Sequence, residues 1–138
     1  MESKKTYYNY KNGNIESECY LKNGKLHREN GPAQIFYYEN GKVEKEYYYK
    51  DFKLHNENGP AIIYYDENGN IESEECYINN KLILNNEEIK NYIYTNKPIR
   101  VRNIVKLKLL CEIFKQRGLE DKKEEIERKL LLETLLKN

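Results

Sequence analysis

Leu26-His27-Arg28-Glu29-Asn30-Gly31-Pro32-Ala33 returns 28 residues later as Leu54-His55-Asn56-Glu57-Asn58-Gly59-Pro60-Ala61. The same shift relates Asn12-Gly13-Asn14-Ile15-Glu16-Ser17-Glu18 to Asn40-Gly41-Lys42-Val43-Glu44-Lys45-Glu46 and to Asn68-Gly69-Asn70-Ile71-Glu72-Ser73-Glu74. A fixed period of this length marks stacked supersecondary units that bury a core jointly. Units run at about 6–33, 34–61 and 62–89, with a remnant to about 96. The third copy decays in register: Lys81-Leu82 follows at the right distance, but Ile83 stands where the His would be.

Six of the seven Gly follow an Asn, a pairing suited to the positive φ of a type I′ hairpin turn. Around Asn40-Gly41 and Asn68-Gly69 lie segments rich in Tyr, Ile and Val, which suit pleated, half-buried strands. Gly31-Pro32 and Gly59-Pro60 fall between hairpins and mark the corners where the next unit starts, because Pro has no N–H for a central strand. Alternation places Ile15, Ser17, Cys19 and Leu21 on one side and Glu16, Glu18 and Tyr20 on the other. In register, Glu16, Glu18, Glu44, Glu46, Glu72 and Glu74 then form an acidic stripe on the solvated side of the sheet.

The composition breaks near Asn96-Lys97-Pro98. All 14 Tyr precede residue 97, and nine of 14 Leu follow it. The apolar spacing from Val101 to Phe114 predicts a helix ended by Gly118. A second helix is predicted from about Glu120 to Lys137, with acidic residues at its positive end. Its last turns carry Leu130, Leu131, Leu132, Leu135 and Leu136, more than one narrow stripe needs. The expected architecture is therefore α+β: an antiparallel β-hairpin repeat domain over 1–96 and a two-helix cap over 97–138. The formal net charge of +1 conceals a body of net −4, a segment 97–117 of net +6 and a tail of net −1. Such a balance argues against a chain devoted to coating nucleic acid or an anionic surface.

The stretch Tyr37-Tyr38-Glu39-Asn40-Gly41-Lys42-Val43-Glu44-Lys45-Glu46-Tyr47-Tyr48-Tyr49 resembles the variant form of the MORN repeat, with Tyr20, Asn23, Gly24 and Lys25 supplying its last part in the first unit. The likeness spans roughly residues 6–96. The added Leu-His-x-Glu-Asn-Gly-Pro-Ala stretch is similar to repeats in uncharacterised proteins of large AT-rich DNA viruses and of some bacteria. The resemblance implies a hairpin-repeat sheet and supplies no catalytic residue to carry over. It differs from the standard MORN strand in lacking its Trp and Gly.

His27 and His55 occupy equivalent positions, but no third metal ligand repeats with them. Their expected role is to hydrogen-bond the Gly-Pro corner. Cys19 and Cys76 are not equivalent by repeat, and neither has an identifiable His and orienting acid for nucleophilic chemistry. Three unspaced cysteines fit free thiols in a reducing compartment. No apolar run reaches 18 residues and Met1–Lys5 has no apolar core, so neither a spanning helix nor a leader is predicted. The expectation is a non-enzymatic interaction or assembly module without cofactor or metal, cytoplasmic, or in host cytoplasm or virion if viral. Its partner would be another protein met by Tyr20, Tyr48 and the six glutamates. Leu131, Leu132, Leu135 and Leu136 would support a homo-oligomer. The alternative is nucleic-acid contact by Lys97, Arg100, Arg102, Lys106 and Lys108, a salt-dependent phosphate interaction.

Overall fold

The computed structural model describes residues 4–94 and 104–136. Ten strands come first: β1 (Lys4–Asn9), β2 (Ile15–Lys22), β3 (Lys25–Leu26), β4 (Gln34–Tyr37), β5 (Val43–Tyr47), β6 (Tyr49–Lys50), β7 (Lys53–Leu54), β8 (Ile62–Tyr65), β9 (Ile71–Ile78) and β10 (Lys81–Leu84). Three helices follow among the described residues: α1 (Asn86–Tyr94), α2 (Ile104–Gln116) and α3 (Glu120–Leu135). The main sheet is antiparallel in the order β1-β2-β4-β5-β8-β9-β10, with β3 paired to β2, and β6-β7 form a separate ribbon. The architecture is thus an antiparallel hairpin-repeat sheet followed by helices, as the period predicts.

The two kinds of turn in each unit differ, and the type I′ expectation holds for only one. Asn23-Gly24, Asp51-Phe52 and Asn79-Asn80 have positive φ at both positions and join strands through two-residue turns, as type I′ requires. At Asn12-Gly13, Asn40-Gly41 and Asn68-Gly69 only the Gly has positive φ. There the Asn40 side-chain oxygen accepts the Lys42 N–H at 2.9 Å, and the ladder slips by one residue between Phe36 and Tyr37. The same slip occurs between Tyr8 and Asn9 and between Tyr64 and Tyr65. The turn is a longer loop with a glycine bulge because the Asn side chain closes its own backbone turn.

Contacts between units repeat with the sequence. Tyr10 donates its hydroxyl to the Tyr37 carbonyl at 2.7 Å, and Tyr38 to the Tyr65 carbonyl at 2.7 Å. His27 Nδ1 accepts the Asp51 N–H at 3.1 Å, and His55 Nδ1 accepts the Asn79 N–H at 3.2 Å. On the other ring nitrogen, His27 lies 2.9 Å from Glu29 and His55 3.1 Å from Glu57. Each imidazole therefore ties its own corner to the two-residue turn of the next unit.

Helical structure starts before the break in composition. α1 occupies 86–94, inside the stretch read from sequence as a decayed repeat. Asn85 accepts the Glu88 N–H at 3.0 Å while Glu88 accepts the Asn85 N–H at 3.1 Å, a reciprocal capping box. The core is built by Cys76 and Leu84 from the sheet, Ile89 from α1, Leu107, Leu109, Leu110, Ile113 and Phe114 from α2, and Ile126 from α3. Each fully buried large side chain in it contributes roughly 1.5–3 kcal/mol. The helices thus cover the β9–β10 end of the sheet, and Gln116 lies over Gly59.

Candidate interaction surface

Register places Tyr7, Glu18, Ile35, Glu46, Ile63 and Glu74 in one transverse row across six strands. The row is largely interior. Ile35 and Ile63 are buried, and so are Glu18 and Glu74 at 6% and 2% exposure. This corrects the solvated acidic stripe. Buried carboxylates persist only with partners, and each member has one. Tyr37 donates to Glu18 at 2.8 Å, with Lys5 Nζ 2.7 Å from the other oxygen. Tyr65 donates to Glu46 at 2.9 Å. Arg117, at the C-terminal end of α2, pairs with Glu74. The guanidinium stands where the repeat would have placed the next tyrosine hydroxyl.

Glu16 and Glu72 remain exposed and Glu44 half-buried; Glu44 sits 3.2 Å from Lys45. Tyr20 is half-buried beneath Arg28, whose guanidinium carbon is 3.8 Å from the ring centroid. Tyr48, also half-buried, lines a polar cleft with Arg28, His55 and Asn56. Of the twelve glutamate, tyrosine and leucine positions singled out by sequence, the sheet brings together Tyr20 with Glu18 on one face and keeps Glu16, Glu44 and Glu72 toward its rim.

The opposite face carries an aromatic ladder centred on Tyr47. Phe36 and Tyr47 meet edge to face at 5.9 Å, Tyr47 and Tyr64 at 6.4 Å, and Tyr47 stacks on Tyr49 at 6.4 Å. Phe52, 61% exposed, stacks on Tyr49 at 6.3 Å. The signal lay in the i, i+2 spacing of Tyr47 and Tyr49, which places both on the face that Glu46 does not use.

In α3, Ile126 is fully buried and Leu130 packs on the core, whereas Leu131, Leu132, Leu135 and Leu136 are 59–85% exposed. Lys106 pairs with Glu88 at 3.0 Å and Lys108 is exposed. Lys97, Arg100 and Arg102 lie outside the described residues.

Burial pushes the thiols of Cys19, Cys76 and Cys111 up, away from the thiolate. Among the described residues no group of three or more His, Cys, Asp or Glu could hold a metal ion. No helix of the described residues is long and apolar enough to cross a membrane.

The family model for the MORN repeat variant matches residues 33–51 and 62–79, the two hairpins β4–β5 and β8–β9 with their extensions. Two segments of the chain are thus similar to the variant MORN repeat. Comparison with curated proteins and with solved structures gives no match. MORN repeats generally serve protein or membrane interaction and are typically non-catalytic.

Proposed function

We propose that this chain is a non-enzymatic assembly module that binds another protein and associates with itself. The observation that carries the reading is the apolar end of α3. Leu131, Leu132, Leu135 and Leu136 expose 59–85% of their surface on one short helical segment, and clustered exposed leucines are the usual mark of a partner surface. Glu16, Glu44 and Glu72, with Tyr20 and Tyr48, supply the polar and aromatic contacts for a protein partner. Glu18, Glu46 and Glu74 act by holding the sheet. Sedimentation velocity over a dilution series tests the self-association. A reversible oligomer is expected, and Leu132→Glu with Leu135→Glu should return it to monomer without changing the circular dichroism. A parent protein that is monomeric at every concentration removes self-association from the reading.

A further inference from the structure

The transverse row is one carboxylate short. Ile35 lies between Glu18 and Glu46, and Ile63 between Glu46 and Glu74. Tyr7 occupies the equivalent position in β1, faces Glu18 on one side, and has no strand paired on the other among the described residues. The consequence is visible in burial: Tyr7 is 49% exposed, against 7% and 8% for Ile35 and Ile63.

The cation beside that gap is a departure from the repeat. At the positions of Ala33 and Ala61, both fully buried, β1 has Lys5. Its ammonium contacts Glu18 at 2.7 Å and lies 4.7 Å and 5.3 Å from the Tyr7 and Tyr20 ring centroids. In the inner strands the carboxylate of the preceding strand is held by Tyr37 or Tyr65. The matching residue in β1 is Asn9, which turns back to the Gly13 carbonyl at 3.1 Å. Lys5 is therefore the group on this face placed to receive a carboxylate from beyond the edge, and an ammonium has three donors to share.

We propose that the outer edge of β1 binds an extended acidic segment of another protein as an added antiparallel strand, with a carboxylate opposite Tyr7 and beside Lys5. Backbone pairing supplies affinity and the alternate side chains supply register, as in strand addition generally. The required pattern is that of β2, β5 and β9, with glutamate at every second position. A second copy's own β1 is a poorer occupant, because edge lysines disfavour strand-to-strand pairing of like edges. This surface lies at the opposite edge of the sheet from the helices, so its failure leaves the α3 reading standing.

The probe is a labelled peptide copying residues 71–78 with C76S, titrated into the full chain by fluorescence anisotropy. Binding is expected to weaken at least tenfold for the peptide that also carries E74K, and for the protein Lys5→Glu. The E74K peptide should bind K5E protein better than it binds the parent. Because E74K resides in the peptide, that comparison does not depend on how the protein variant folds. Hydrogen exchange should show added protection at residues 4–9. Equal binding of both peptides, absence of saturable binding, protection confined to another segment, or a dimer through β1 that the peptide does not displace would each overturn the proposal.

Discussion

At Glu74 a carboxylate with 2% exposure depends on Arg117. Burial holds its carboxyl above the ordinary 4.5, and the guanidinium opposes that shift in part. A folded value above the unfolded one means that the folded chain holds the proton more tightly. Stability from this group is therefore greatest below the unfolded value and declines as pH rises through the folded one. Arg117→Leu should cost about 3–5 kcal/mol at neutral pH, the usual result of leaving one partner of a buried pair. Part of that loss should return at mildly acidic pH, where Glu74 takes up a proton. Urea denaturation of parent and variant at the two pH values measures the difference in slope; equal slopes would contradict it. A related contrast separates Glu18 from Glu46. Tyr37→Phe leaves Glu18 with Lys5, but Tyr65→Phe leaves Glu46 without its hydroxyl partner. The second substitution should cost more, about 1.5–3 kcal/mol for a hydrogen bond to a charged group, as read from paired denaturation curves.

Among the elements, the helices and the last hairpin are bound to each other by the core around Cys76 and Phe114. Cys76 is fully buried and its thiol is pushed up, mainly by burial with help from Glu74. In a protein with C19S and C111S, thiol labelling of Cys76 should be slow in native buffer and should accelerate in proportion to opening of the helices. Labelling as fast as that of an unfolded control would show that the helices do not cover β9. The hairpins and the two long helices were legible in the residues, since Asn-Gly spacing, Tyr-rich arms and apolar helical spacing are local signals. The burial of Glu18 and Glu74, and the partnering of Glu46, were not. Alternation puts Glu18 and Glu74 on the same face as the exposed Glu16 and Glu72, and the partner arrives far along the chain: a hydroxyl 19 residues later for Glu18 and Glu46, a guanidinium 43 residues later for Glu74. α1 was hidden for another reason: its residues keep the repeat's register while the capping pair Asn85 and Glu88 redirects the backbone.

The molecule as a whole rests on tyrosines, of which there are 14 and no Trp. Burial raises Tyr37 and Tyr48 to about 12, and Tyr77 reaches about 12 through its hydrogen bond to Glu75 and its burial. Tyr47 and Tyr65 are pushed up as well, chiefly by burial. Values raised above the unfolded 10 contribute stability that is present below that pH and lost as pH rises toward the folded values. Alkaline titration should therefore show these tyrosinates appearing together with a cooperative loss of structure between about pH 10 and 12. Gradual ionisation with the circular dichroism unchanged would refute this.

The exchange of a tyrosine hydroxyl for a guanidinium at Glu74 makes the length of the array separable from its ends. A unit inserted after residue 61 would bring its own carboxylate and its own tyrosine, asking nothing new of β1 or of α2. Two sheet strands per unit at roughly 4.8 Å spacing would move the terminal arginine about 10 Å farther from the first strand. The chain is in this sense a ruler, graduated in glutamates and stopped by one charge.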